Sequence, residues 1–316
     1  MKLEEIEGIG KATAKRLREA GYTSVEALAV TPARELMQKA GYKDLASAER
    51  IVEAARKTLG ASSFTTAWEH WKLTRNRMRC TTGSRALDAL LGGGVETRAI
   101  TEFVGPYGSG KTQICLTLSV TAQLPPENEG LGGNVLFFDT EGTFSSDRVY
   151  QIAANLGLNP EQALHNIILS RIYTSDHQVL MLGYAFQKCA EENVKLVIVD
   201  SVISHFRSEF VGRETLAERQ QKLNEYMHKL LRLAEILNLA VVVTNQAQAN
   251  PAAWGYTITD RPAGGNILAH ACTTRVWLRK AEGGKRIARV FDSPCLPEAE
   301  CVFKITEKGI EDVEET

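Results

Sequence analysis

The run Gly105-Pro106-Tyr107-Gly108-Ser109-Gly110-Lys111-Thr112 has the spacing G-x-x-x-x-G-K-[ST] of a phosphate-binding loop. Its glycines let successive backbone N–H groups converge on phosphate oxygens, and the helix that follows adds the partial positive charge of its N-terminus. Lys111 is placed to reach the β- and γ-phosphates, and the Thr112 hydroxyl to ligate Mg²⁺. With Gln113 opening the helix, residues 105–113 are the expected nucleotide cradle, and ATP with Mg²⁺ the expected cofactors.

Two carboxylates and an amide close three apolar runs. Lys195-Leu196-Val197-Ile198-Val199-Asp200 reads as a buried strand whose C-terminal edge offers Asp200 as a second partner for Mg²⁺. Val135-Leu136-Phe137-Phe138-Asp139-Thr140-Glu141-Gly142 carries Glu141, a candidate to orient and deprotonate an attacking water, with Asp139 as its structural neighbour. A strand-end carboxylate capping the next helix is the plainer alternative. Val241-Val242-Val243-Thr244-Asn245-Gln246 ends in amides, where Gln246 could sense a γ-phosphate or simply bond a turn. Lys111, Glu141 and Gln246 are the expected catalytic groups.

Such residues act together only if the fold brings several strand ends to one edge. Strand patterns are predicted at 100–104, 134–138, 167–173, 195–199, 240–244, 273–278 and 286–291. Helical patterns follow Lys111 and cover 146–156, 177–193 and 215–237. Strands alternating with helices predict an α/β core, a mostly parallel twisted sheet with helices on both faces. Residues 1–60 instead show short charged helical patterns broken by glycine, with 5–22 and 35–60 resembling two small helical hairpins. The small, polar stretch near residues 59–63 reads as a hinge. The expected domains are 1–60, a linker 61–79 and a core 80–316, with an acidic, frayed tail at 307–316.

Two further stretches suit nucleic acid. His205-Phe206-Arg207-Ser208-Glu209-Phe210-Val211-Gly212-Arg213 interleaves cations, aromatics and glycine on an expected loop, as backbone phosphates and stacked bases require. A loop at 247–265, containing Pro251, Trp254, Gly264 and Gly265, is long enough to be functional and begins beside Gln246. In Ile6-Glu7-Gly8-Ile9-Gly10-Lys11, a hydrophobic-Gly-hydrophobic-Gly turn precedes a helix, resembling a helix-hairpin-helix that holds DNA phosphates or a protein partner.

Composition narrows the classes. The 316 residues carry 37 Lys+Arg against 38 Asp+Glu, a net charge of −1, which excludes a globally basic nucleic-acid coat but not a local basic patch. The apolar stretch 229–244 is interrupted by Arg232 and Glu235, so no membrane span is expected. Six scattered cysteines without a C-x-x-C pair fit buried, reduced thiols rather than a zinc site. The N-terminus lacks the apolar core of a signal peptide, so an intracellular protein is expected.

Taken together these motifs resemble the RecA-type strand-exchange recombinases, most closely the archaeal RadA branch and its eukaryotic relatives. The resemblance extends to Gly83-Ser84-Arg85-Ala86-Leu87-Asp88, to Asp139-Thr140-Glu141-Gly142-Thr143-Phe144, to Glu218-Arg219-Gln220-Gln221 and to Asp292-Ser293-Pro294-Cys295-Leu296-Pro297. It implies a RecA-like P-loop ATPase core after a helix-hairpin-helix domain. It implies that residues 206–214 and 247–265 are two DNA-binding loops, with Arg207, Phe210, Arg213, Arg219, Pro251, Gly264 and Gly265 as contacts. Arg148 is then expected near the nucleotide base, and His270 as a sensor of ATP in the adjoining subunit. The segment 292–297, bounded by Asp292 and Pro297, is similar to a cap over that neighbour's ATP, with a monovalent cation nearby. Phe64-Thr65-Thr66-Ala67 matches an F-x-x-A linker motif in which Phe64 and Ala67 dock into the next protomer.

The implied partners are single- and double-stranded DNA, further copies of the chain in a filament or ring, and recombination mediators. The implied location is the cytoplasm of an archaeal cell, in association with the nucleoid. The expected activity is DNA-dependent ATP hydrolysis coupled to strand exchange in recombination and double-strand-break repair. Two alternatives are a RecA-like accessory paralogue without strand exchange, and a ring-forming motor that shares only the P-loop. Departures from the family are Phe210 where many relatives have Tyr, and Gly108 where some eukaryotic relatives have Arg.

Overall fold

The computed structural model describes residues 3–60, 64–212, 214–248 and 261–314. Two compact units are distinguished, one comprising residues up to Asn76 with Met181–Glu191, the other Arg77–Leu180 with Glu192–Thr316.

The first unit is helical through Asn76, with α1 (Lys11–Glu19), α2 (Val25–Val30), α3 (Ala33–Ala40), α4 (Leu45–Thr58) and α5 (Ala67–Thr74). Gly8 takes φ +83° in the turn before α1, and Gly10 is the α1 N-cap. Buried Ile6 and Ile9 flank this turn and pack with Leu17, Leu28, Leu36 and Val52. Asp44 starts α4 by accepting from the Ser47 N–H at 2.7 Å, and Ala48, Val52 and Ala55 recur on its buried face. Phe64 is fully exposed before α5. Thr66, in extended conformation, caps α5 through a reciprocal pair with Glu69, so the F-x-x-A stretch ends at a helix start.

The second unit is built on strands β1 (Arg79–Cys80), β2 (Val95–Glu96), β3 (Ala99–Gly105), β4 (Asn134–Asp139), β5 (Ile167–Arg171), β6 (Val194–Asp200), β7 (Ala240–Gln248), β8 (Arg261–Pro262), β9 (Thr274–Lys280), β10 (Lys285–Asp292), β11 (Ala299–Thr306) and β12 (Gly309–Asp312). The main sheet runs β12-β11-β10-β9-β3-β7-β6-β4-β5, and β8 pairs with the end of β7. Strands from β9 to β5 in that order are mutually parallel, while β10, β11 and β12 pair antiparallel.

Its helices are α6 (Arg85–Leu90), α7 (Lys111–Thr121), α8 (Ser146–Asn155), α9 (Pro160–His165), the start of α10 (Ser175–Glu191, of which Met181–Glu191 belongs to the first unit), α11 (Ser204–Glu209), α12 (Leu216–Leu237) and α13 (Asn266–Ala271). Ile114 and Leu118 of α7 and Val149 and Ile152 of α8 pack with Phe103, Phe137, Ile198 and Val242. Each such side chain contributes roughly 1.5–3 kcal/mol by leaving water. The buried face of α12 carries Leu223, Met227, Leu230 and Ala234, and lies against β3 and β7.

Three expectations change, and one strand was not expected. Residues 205–209, part of the stretch 205–213 read as loop, lie in α11, because Phe206 is fully buried beside Tyr226 and one helical turn satisfies the backbone around it. The tail is not frayed at 309–312, where β12 pairs with β11 and buries Ile310. Strand β11 carried no prediction, since Phe303 is its one fully buried residue and the rest alternates weakly. The cysteines form no disulfide, but Cys295 is exposed rather than buried.

Candidate functional site

Parallel pairing aligns the C-terminal ends of four strands. Gly105 of β3 stands opposite Gln246 of β7, and Asp139 of β4 opposite Asp200 of β6. This is the edge at which open α/β sheets bind ligands.

The predicted cradle, from Gly105 through Pro106, Tyr107, Gly108, Ser109 and Gly110 to Lys111 and Thr112, joins β3 to α7 there. A Cβ on Gly105 would meet the Leu278 carbonyl oxygen at 2.3 Å, so only glycine lets the loop leave the sheet at that point. Gly110 takes φ +108° as the α7 N-cap. Lys111 Nζ lies across the loop, donating to the Gly105 and Pro106 carbonyls at 2.9 and 3.0 Å. Burial pulls its ammonium below the ordinary lysine range, opposed by the charges of Asp200 and Glu141.

Asp200 is held by two hydroxyls. Thr112 Oγ1 donates to its Oδ2 at 2.8 Å, and Thr244 Oγ1 donates to Oδ1. Burial pushes the carboxyl up from its usual range, while these hydroxyls pull it down. Thr244 was visible as a hydroxyl ending an apolar strand, but its partner was not.

Asp139 shapes the turn that carries Glu141. Its Oδ1 accepts from Gly142 N at 2.7 Å and Thr143 N at 3.1 Å. Arg171 donates to the Asp139 carbonyl at 2.7 Å from the adjacent strand. Glu141 is thereby presented at the strand edge, and Gln246 Nε2 donates to its Oε1 at 2.8 Å. Arg207 of α11 donates to Gln246 Oε1 at 3.1 Å. In the amide orientation that satisfies both groups, Gln248 also accepts from Arg207 Nε and Nη2 at 3.1 Å. Arg207, expected only as a DNA contact, is therefore tied to the Gln246 amide as well.

Arg148 donates to Gln113 Oε1 at 2.9 Å and to the Thr306 carbonyl, which fixes it between α7 and the β11–β12 turn. Phe210, half-buried, lies under Lys222 with the ammonium 4.8 Å from its ring centre. Arg219 stands in the first turn of α12. Gly264 and Gly265, both in the left-handed φ range, lead into α13, where His270 is exposed. Asp292 and Pro297 are likewise exposed, and Asp292 pairs with Arg275 of β9, three residues before the Leu278 that backs the phosphate loop. Arg213 and Pro251, with most of the second loop, lie outside the described residues.

Among the described residues no group of three or more His, Cys, Asp or Glu could hold a metal ion. A hydroxyl beside a carboxylate suits Mg²⁺, whose remaining ligands would be phosphates and waters. No helix of the described residues is long and apolar enough to cross a membrane.

Residues 74–313 match the Rad51 family model, and residues 1–57 match a SAM-like helix-hairpin-helix tandem. The chain is also similar to the DNA repair and recombination protein RadA of Aeropyrum pernix. They are 49% identical over 312 residues, covering 99% of this chain and 97% of that protein.

Proposed function

The chain belongs to the Rad51 family, and on that premise we propose that it is an ATP-dependent DNA recombinase acting in recombination and repair. Protomers polymerise on single-stranded DNA, pair it with a homologous duplex and exchange strands. The enzyme is a DNA-dependent ATPase that uses ATP and Mg²⁺. The observation that carries the site assignment is the Gln246–Glu141 contact at the same sheet edge as Lys111, Thr112 and Asp200.

Thr112 and Asp200 would hold Mg²⁺, which when bound draws charge from the phosphate oxygens. Lys111 leaves the loop carbonyls for the β- and γ-phosphates and offsets the charge that builds on the transferred group. Glu141 accepts the proton of the attacking water as its oxygen bonds to the γ-phosphorus and the bond to ADP breaks. Gln246 holds Glu141 and reads the γ-phosphate. Arg148 and Gln113 border the nucleotide base.

DNA lies against Arg207 of α11, Phe210 and Arg213 beyond it and Arg219 of α12, and against Pro251, Gly264 and Gly265 of the second loop. Exposed Phe64 and Ala67 enter a neighbouring core, where the backbone leading to extended Thr66 can pair with an outer strand. His270 and the 292–297 cap meet the neighbour's ATP, with a monovalent cation beside the cap. Domain 1–60 then serves as the helix-hairpin-helix module, 61–79 as the assembly linker, and 80–316 as the ATPase core that also carries both DNA-binding loops. Recombination mediators and a nucleoid location in the archaeal cytoplasm belong to the same reading.

The test is strand exchange with homologous and heterologous duplex in ATP and Mg²⁺. Joint product with the homologous duplex alone is expected. DNA-stimulated hydrolysis without product would make the chain an accessory paralogue.

A further inference from the structure

Three polar side chains lie in the middle of the sheet, on adjacent strands where apolar residues are the ordinary choice. Glu102 of β3 and Asn245 of β7 are fully buried, and Arg275 of β9 is 5% exposed. Glu102 and Arg275 face each other directly in the parallel register. Arg275 Nε donates to Glu102 Oε2, and Asn245 Nδ2 donates to Glu102 Oε1 at 2.7 Å. Taking a carboxylate and a guanidinium out of water is costly, and apolar residues of similar volume commonly serve a fold as well or better. Stability alone therefore gives a poor account of this pair.

Both ends of the cluster reach groups that the ATPase reading uses. Arg275 Nη1 lies 3.6 Å from Asp292 Oδ2, its direct cross-strand partner, and the guanidinium sits over Phe291, 4.9 Å from the ring centre. At the other end, Asn245 Oδ1 accepts from the Gln246 N–H at 2.8 Å, while Asn245 Nδ2 also donates to the Ala263 carbonyl at 2.7 Å. The cluster thus touches the cap carboxylate, the backbone of the residue that holds Glu141, and the segment that returns from the second loop.

We propose that Glu102, Arg275 and Asn245 form a positioning relay between Asp292 of the cap and Gln246 of the hydrolytic site. The proposal rests on the active-site reading above and adds a route by which the ATP at a neighbour's boundary bears on hydrolysis within the protomer. Displacing Asp292 moves the Arg275 guanidinium, which must take Glu102 with it or leave a buried charge unpaired. Glu102 then draws on Asn245, the residue that sets both the Gln246 backbone and the base of the second loop. None of the three touches nucleotide, so they are positioning residues.

The experiment compares wild type, Glu102→Gln, the double variant Glu102→Leu/Arg275→Met, and Glu141→Gln in steady-state ATP hydrolysis on single-stranded DNA, with thermal melts of each. Glu102→Gln is expected to lower kcat roughly ten- to hundredfold, the usual cost of misplacing a catalytic group. Its KM for ATP should stay within about twofold, because no binding contact is removed. The double variant should melt close to wild type, since an apolar pair replaces the ion pair, yet keep the low kcat. Wild-type kcat in Glu102→Gln, or in a folded double variant, overturns the relay while leaving the active site intact. Should the double variant fail to fold, the isosteric Glu102→Gln decides by the same criterion. Normal turnover in Glu141→Gln overturns the active-site reading and the relay with it, because no hydrolytic group would then be left to position.

Discussion

Gln246 Nε2 donates to Glu141 Oε1 at 2.8 Å, although β7, which carries Gln246, and β4, which leads into the Glu141 turn, are not neighbours. Strand β6 lies between β7 and β4, and its Asp200 is held from the β7 side by Thr244. The Gln246 amide therefore reaches over the aspartate that would hold Mg²⁺ to the carboxylate that would activate water. A shift of β7 would be felt at both.

Glu141→Gln should retain ATP and DNA binding while slowing hydrolysis roughly 10²–10⁴-fold, the usual worth of a positioned general base. Lys111→Ala should instead weaken nucleotide binding itself. Nucleotide titration beside single-turnover hydrolysis separates the two, and wild-type turnover in Glu141→Gln removes that residue from its role.

Arg207→Ala tests whether this side chain serves DNA or only Gln246. If it meets a phosphate, the log–log slope of single-strand affinity against salt should flatten by about 0.7 unit. An unchanged slope with altered ATP turnover would leave Arg207 as a partner of Gln246 alone. Fluorescence anisotropy across a salt series gives the answer.

Phe64→Glu should abolish assembly and leave the protomer folded. Phe64 is fully exposed, so replacing it removes no packing among the described residues. Burying it in a neighbour would contribute roughly 1.5–3 kcal/mol per interface. Light scattering should show loss of filaments with an unchanged melting temperature, and DNA-stimulated hydrolysis should fall with assembly. Intact filaments would exclude the motif from the interface.

Asp312 should give a pH-dependent contribution to stability. Burial raises its carboxyl pKa, but the Ser84 hydroxyl and the Arg85 and Ala86 N–H groups outweigh that, so the folded value lies below the unfolded one. A depressed carboxylate stabilises the fold above its unfolded pKa and loses that stability as pH falls through the folded pKa. Asp312→Ala should therefore cost about 0.3–1 kcal/mol at pH 7, from lost contact with the α6 N-terminus. The difference should shrink as acid protonates the folded carboxylate, below the ordinary carboxylate range. Urea unfolding across an acid pH series measures it, and a pH-independent difference would point to packing instead.

Much of the site was legible because its chemistry is local. Glycine spacing, a lysine and a hydroxyl at a helix start, and carboxylates closing β-branched runs depend on residues a few positions apart. The helix starts at Ser84, Ser145 and Asn159 follow the same rule, each side chain accepting from a backbone N–H three residues on. Strand ends were less legible. The 240–244 pattern stops where the apolar run stops, yet β7 continues to Gln248 because β3 and β8 supply ladder partners beyond it.

Tertiary structure decided which distant groups meet. Asp312 caps a helix start 228 residues away, and nothing in its acidic surroundings distinguishes it from a solvated tail. Phe206 turns a basic stretch into helix only because Tyr226 and the core are there to bury it. Glu102 and Arg275 are single charges within otherwise strand-like runs, and their pairing exists only because β3 and β9 lie side by side in one register. A one-residue slip would turn every side chain of a strand to the opposite face. Local spacing therefore determined the chemical groups at this strand edge, while strand order and register, which arise from packing apolar faces between layers of helices, decided which groups act on one another.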